Sequence, residues 1–318
     1  MILEILLAAA GLLLLTWAAD HLVLGSSRLG RRLGVSPVVI GIVVIGLGTS
    51  APEFVVSGLA AARGDTGLAV GNIVGSNILN LSLLLGVAAL IAPVPVAASV
   101  MRREVPLAVA GVALFGLIAL FGLDVTSATV LAVACAAALW LLIRWARPSR
   151  PDPVSAEEVR EGLEADPVPV RKWWAEPIRA LLGLAGVLAG AQMLVVGASG
   201  AAAAVGVSQT VIGFTVVAIG TSLPELVTTV QAQRRGESDL VVGNLFGSNL
   251  FNSLAGGAVI GFADGTNPAH GGIVLVSVMV SGAFLAGLLL FRGRRLTSRH
   301  GVLLGLAYLG TIPLLLSS

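Results

Sequence analysis

Apolar residues run through this chain in blocks of about twenty, broken by short clusters of charge, glycine and proline. A membrane-crossing helix needs about 20 mostly apolar residues, and ten such runs can be marked. They fall at Ile2–Leu24, Ser36–Ala62, Leu68–Ala92, Val105–Gly122, Ser127–Ile143, Pro177–Ala198, Ser208–Gln231, Leu240–Phe262, Gly272–Leu290 and Gly301–Leu316. The first run is too long for the core of a signal peptide and lacks a small-residue cleavage site, so it reads as a retained first helix. One long polar stretch interrupts the rhythm, from Arg144 to Trp174. Its prolines and mixed charges read as a solvated linker, with a short helix at Ser155–Glu164 opened by the Ser155–Glu158 capping pattern. It is too short for a calcium-sensing domain and lacks an EF-hand loop.

Composition agrees with the pattern. Of 318 residues, 56% are hydrophobic and only 11% charged, against about 25% charged in ordinary soluble domains. A soluble enzyme, a nucleic-acid module and a disordered regulator are thereby excluded. The single cysteine, Cys135, leaves no disulfide framework or thiolate metal cluster. His21, His270 and His300 are too dispersed in sequence for a His-rich metal site.

Net charge is only +2, yet the placement of the basic residues is informative. With ten crossings the loops alternate sides, and of nineteen Lys and Arg only Arg63 falls opposite the rest. By the positive-inside rule the linker is cytoplasmic and both termini are extracytoplasmic. The expected location is the cell membrane, the inner one, as a multi-pass protein. Trp140, Trp145, Trp173 and Trp174 read as interfacial anchors.

Shifting the sequence by 172 residues aligns Gly34–Asn80 with Gly206–Asn252, and 24 of the 47 positions are identical. Each half holds five crossings, an odd number, so the second half enters from the opposite side. The fold class expected is therefore an all-α polytopic membrane protein, with ten transmembrane helices as two inverted five-helix repeats. Residues 1–143 form the first repeat, 144–176 the linker and 177–318 the second. Inverted repeats in secondary transporters place the substrate site at their interface near the bilayer midplane. The Gly-x-x-x-Gly pairs Gly71–Gly75 and Gly243–Gly247 would let helices pack closely.

The repeat carries unusual polar residues. Glu53 and Glu225 occupy matching positions within long apolar runs, where a carboxylate costs on the order of 2.5–3.5 kcal/mol to insert. Around each the chain reads Gly-Thr-Ser-x-Pro-Glu, and Pro52 and Pro224 are expected to break the helix and free the carbonyls of Gly48 and Gly220. Thr49 precedes Glu53, and Thr221 precedes Glu225, by one turn. Ser50 and Ser222 add hydroxyls; Ser76 with Asn80, and Ser248 with Asn252, again lie one turn apart. This all-oxygen set suits a hard cation such as calcium, with sodium also accommodated, while zinc or copper would want His or Cys. Asn77 and Asn249 stand equally as ligands or as interhelical hydrogen-bond partners. Asp20, whose repeat counterpart is Gln192, reads as a structural ion pair or interfacial residue.

The doubled Gly-Thr-Ser-x-Pro-Glu and Gly-Asn-x-x-Gly-Ser-Asn blocks resemble the two alpha repeats of the sodium/calcium exchangers, within the cation/calcium antiporter superfamily. The resemblance spans the whole chain and is to the compact prokaryotic members. It implies calcium ligands at Glu53, Glu225 and the backbone carbonyls of Thr49 and Thr221. It implies sodium positions at Ser50 and Ser76 with the carbonyl of Gly46, and at Ser222 and Ser248 with that of Ala218. Asn80 and Asn252 match a central polar pair in which better-known members often carry one Asp, so this site holds two formal negative charges rather than three.

The function expected is a secondary antiporter exchanging calcium for sodium by alternating access, with no enzymatic activity. No cofactor, nucleic acid or obligatory protein partner is expected beyond the transported ions and the bilayer. A calcium/proton antiporter, in which protons neutralise the two glutamates, is the nearest alternative. A cation channel is a more distant one, because its repeats would be rotational rather than inverted.

Overall fold

A computed structural model describes residues 1–146, 174–207, 218–264 and 271–317. The expected linker helix at Ser155–Glu164, Trp173, His270 and residues 208–217 of the seventh expected span lie outside the described residues. Helices α1 (Ile2–Leu33), α2 (Pro37–Thr49), α3 (Ala51–Ala62), α4 (Thr66–Ile91), α5 (Ala98–Phe121) and α6 (Val125–Ala146) precede the linker. After it come α7 (Ala175–Ala204), α8 (Ala218–Thr221), α9 (Leu223–Arg234), α10 (Ser238–Ala263), α11 (Ile273–Gly293) and α12 (Ser298–Ser317).

Seven of these helices are long and apolar enough to cross a membrane, or eight when α2 and α3 are taken as one bent span. The helices run past the expected spans at several ends. The α1 helix continues through the polar Ser26–Arg32 turns and stops at Gly34, whose φ of 62° gives a left-handed cap. The expected single run Ser36–Ala62 is two helices meeting at Ser50, bent by 43°. Pro52 does not sit in mid-helix. It is the second residue of α3, where a missing N–H costs nothing. Pro224 holds the same place in α9 after Ser222.

Burial grades from the centre outward. Of the most apolar stretch of α10, 83% is buried, and of α4 72%, against 22% for α1 and for α6. The two helices bearing the Ser-Asn motifs are thus the core of the molecule, and the outer helices turn residues such as Leu13, Phe121 and Phe291 outward. Close approach is made by glycine. A Cβ on Gly247 would lie 2.6 Å from the Cα of Ile42, and one on Gly46 would lie 2.9 Å from the Ser248 nitrogen. Gly243 meets Gly41 and the Val38 carbonyl in the same seam, so α2 and α10 touch backbone to backbone. Around Gly71 and Gly75 no described atom lies within 4 Å of such a Cβ.

At the periphery α1 and α7 run antiparallel, with Gly11, Gly183, Gly190 and Gly197 at their seam. A two-residue ribbon, β1 (Val94–Pro95) with β2 (Arg295–Leu296), ties two loops together and has no signal in the hydropathy pattern.

Candidate ion-binding site

Each glutamate sits in the first turn of a helix that starts at a break: Glu53 in α3 after Ser50 and Glu225 in α9 after Ser222. Helix N-terminal amides and the helix dipole favour a carboxylate there. Both residues are fully buried. Their partners come from both sides of the molecule. Ser50 donates to Glu225 Oε1 at 3.2 Å, and Ser222 donates to Glu53 Oε1 at 3.3 Å. Ser76 lies 3.5 Å from Glu53 Oε1, and Ser248 lies 3.5 Å from Glu225 Oε1. Ser222 also lies 3.5 Å from Ser76, and Ser248 donates to the Gly46 carbonyl at 3.1 Å.

Eleven of the twelve expected site residues are buried: Glu53, Glu225, Thr49, Thr221, Ser50, Ser222, Ser76, Ser248, Asn80, Asn252 and Gly46. Gly46 takes part through its carbonyl, and Ala218 opens α8. Hydrogen bonds link the two halves as well as joining residues within each. Ser50 meets the glutamate of the other half, and the Gly46 carbonyl meets Ser248 rather than Ser50 and Ser76. Thr49 directs its hydroxyl to the Ile45 carbonyl at 2.9 Å and to Asn244 Oδ1 at 3.3 Å, away from the one-turn pairing with Glu53 that the helix break interrupts.

Hydroxyl-to-carboxylate contacts of 3.2–3.5 Å are looser than the usual O–H···O distance of about 2.7–2.8 Å. The second carboxylate oxygens, Glu53 Oε2 and Glu225 Oε2, are buried with no hydrogen-bond partner in the protein. The same holds for both amide atoms of Asn80 and both of Asn252. Buried polar atoms in native proteins are nearly always paired, so these carboxylate and amide oxygens are acceptors left open within the protein. Asn80 and Asn252 each open a π-helical segment, Asn80–Leu84 and Asn252–Gly256. Another, Gly41–Gly46, supplies the Gly46 carbonyl. Such bulges occur often at functional sites, and nothing in residue spacing announces them.

Two supporting residues carry no role in the sequence argument although they lie inside the repeated Gly-Asn-x-x-Gly-Ser-Asn block. Asn244 donates to the Glu225 carbonyl at 3.3 Å and to Thr228 and Thr229 at 3.1 and 3.0 Å. Asn72 donates to the Glu53 carbonyl at 3.4 Å and to Ser57 at 3.0 Å. Their presence twice in the repeat was the available signal. Asn77 and Asn249 act between helices: Asn249 donates to the Asn77 carbonyl and Asn77 to Ser253, both at 2.9 Å.

Asp20 forms an ion pair, with Arg235 rather than with neighbouring His21 or Arg28. The fork is bidentate at 2.7 and 2.6 Å. Nearby, Ser27 and Arg31 both reach Glu237. Trp140 and Trp174 are exposed, Trp140 beneath the Arg144 guanidinium at 5.3 Å, while Trp145 packs on the core.

Among the described residues no group of three or more His, Cys, Asp or Glu could hold a metal. The site is instead two carboxylates amid hydroxyls and carbonyls, an all-oxygen donor set of the kind hard cations take.

The sequence model described as sodium/calcium exchanger protein matches residues 3–146 and 177–316. CaxA of Alkalimonas amylolytica is 37% identical over 325 residues, covering 100% of each chain. Sodium/calcium exchanger MaX1 of Methanosarcina acetivorans is 30% identical over 284 residues, 78% of this chain and 79% of its own. A solved structure of the sodium-calcium exchanger NCX_Mj, soaked with Na+ and Ca2+, superposes with a TM-score of 0.84 at 30% identity, covering 98% of both chains.

Proposed function

Because this chain belongs to the sodium/calcium exchanger family and is a membrane antiporter of the cation/calcium class, we propose that it exchanges calcium for sodium at the paired-glutamate site by alternating access. Calcium takes Glu53, Glu225 and the carbonyls of Thr49 and Thr221. Sodium takes the flanking hydroxyls of Ser50, Ser76, Ser222 and Ser248 with the carbonyls of Gly46 and Ala218, and shares the glutamates. Asn80 and Asn252 complete the central ring. Coupling follows because the two ions cannot hold the same carboxylates at once.

The observation that carries this reading is the reciprocal one. Each glutamate is approached by a serine of the other half, and each keeps one buried oxygen without a protein partner. A site assembled equally from both halves is what rocking or sliding between them can open to either side. The reading includes ten crossings as two inverted repeats, residues 1–143 and 177–318, with the linker 144–176 cytoplasmic and both termini outside. It is supported by the matched positions of the two helix breaks, the two glutamates and the two π segments after the Ser-Asn turns.

Calcium uptake into proteoliposomes under an imposed sodium gradient, or separately a pH gradient, tests the driver. Uptake should follow outward sodium and stay at background under a pH gradient without sodium. Uptake driven by the pH gradient alone would reassign the protein as a calcium/proton antiporter, and flux without any counter-ion would make it a channel.

A further inference from the structure

The two halves engage their outer helices unequally. On the linker side, α1 packs along α9 and grips the turn between α9 and α10. Asp20 holds Arg235 in its bidentate fork, Ser27 and Arg31 both reach Glu237, and Gln231 donates to the Thr16 carbonyl at 3.5 Å. The 172-residue shift maps these groups onto the opposite end of the molecule. Gln192 and Ser199 of α7 replace Asp20 and Ser27, and Arg63 and Asp65 of the α3–α4 turn replace Arg235 and Glu237. There, among the described residues, no hydrogen bond or ion pair joins helix to turn. Arg63 and Asp65 are exposed, Ser199 Oγ is buried without a partner, and α7 makes no contact with α3 comparable to that of α1 with α9.

We propose that the two sets are alternating latches. The Asp20 set holds the linker side shut, as seen here, and the Gln192 set, with Arg63 and Asp65, holds the opposite side shut when the ion site opens toward the linker. The inference rests on the alternating-access reading and adds the residues that bias which side is open.

The turns do not differ between the halves. Gly64 and Gly236 have φ of 78° and 73°, and the Asp65 and Glu237 amides each bond back to the helix at 2.9 Å, to Ala60 and Ala232. What differs is how the α1–α7 pair sits on them. Its glycine seam joins the two helices closely, so the pair can shift as one body, and sliding of packed helices is a common form of such change. The α3 face left uncovered is apolar: Val55 and Leu59 are 59% and 53% exposed. Their counterparts Val227 and Gln231 are half-buried, Gln231 against α1. By the repeat, α7 is the helix that would cover Val55 and Leu59, two and six residues beyond Glu53. The latches are unequal in strength. Asp20 offers Arg235 a charged, two-pronged acceptor, whereas Gln192 offers Arg63 one neutral carbonyl, which favours the state with the linker side shut.

Spin-label distances in the full chain test this, with Cys135→Ala as background. Labels at Leu33→Cys and Arg234→Cys span the linker-side latch, and the repeat-equivalent Val205→Cys and Ala62→Cys span the other. Each pair should show two distances whose ratio calcium and sodium shift. Asp20→Asn should move the ratios severalfold toward linker-side labels apart and opposite labels close. Gln192→Glu, which gives Arg63 an acid, should move them the same way, and adding Arg63→Gln should cancel that effect. Exchanging the charges, Asp20→Arg with Arg235→Asp, should restore the wild-type ratios, which a fork serving only stability would not control. If Asp20→Asn does not fold, Gln192→Glu carries the test. Two distances in the wild type whose ratio neither variant moves overturn the latches and leave alternating access standing. A single distance in calcium, in sodium and in neither overturns both.

Discussion

Asn80 and Asn252 separate a ligand's role from a structural one at the scale of single residues. Neither amide makes a hydrogen bond within the protein, so an apolar side chain of the same size leaves no buried group orphaned. Asn80→Leu and Asn252→Leu should therefore keep wild-type thermal stability while calcium flux falls to background. Unfolding well below the wild type would mark them as structural. Asn244 is the opposite case, since it holds the Glu225 carbonyl, Thr228 and Thr229 together. Leaving those groups without their donor costs about 1–3 kcal/mol, so Asn244→Ala should lower the unfolding midpoint and transport together. The glutamates and the serines that meet them were legible because the repeat states each of them twice. The exchange of serines across the halves was not. Spacing along one helix says which residues share a face, and it does not say which other helix that face meets.

Helix boundaries were legible where hydropathy changes sharply and not where helices break inside an apolar run. Nothing in the composition of Ser36–Ala62 marks Ser50 as the bend, although Pro52 gave the hint. The proline starts a new helix, which is why Glu53 receives a helix N-terminus instead of a strained mid-helix position. The α2–α10 seam was half legible as Gly243–Gly247, but its partner, the π segment Gly41–Gly46, was hidden because π bulges leave no periodicity. This seam holds the Gly46 carbonyl against Ser248. A methyl group at Gly247 would meet the Ile42 backbone, and overpacking of this kind costs about 1–3 kcal/mol. Gly247→Ala should accordingly lower the unfolding temperature and slow calcium flux. Gly282→Ala in α11, where no described atom lies within 4 Å, should do neither. Equal behaviour of the two variants in a thermal unfolding assay would contradict the close backbone contact.

For the whole molecule, the burial gradient explains why the polar residues are affordable. The α4 and α10 helices are wrapped by the rest, and apart from the half-buried Asn72 their serines and asparagines are buried. The apolar runs and the lopsided distribution of arginine made the membrane class readable from sequence. The bend, the ribbon between Val94–Pro95 and Arg295–Leu296, and the pairing of α1 with α7 depend on contacts between distant segments. The account rests on one claim, that calcium and sodium compete for the same two buried carboxylates. Equilibrium calcium-45 binding to the purified protein, titrated with sodium, measures it directly in the wild type and in the folded Glu53→Gln and Glu225→Gln variants. The account predicts one calcium per chain, displaced by sodium, and loss of that binding in either variant. Calcium binding that persists at wild-type strength in both variants, or that sodium does not displace, would contradict it.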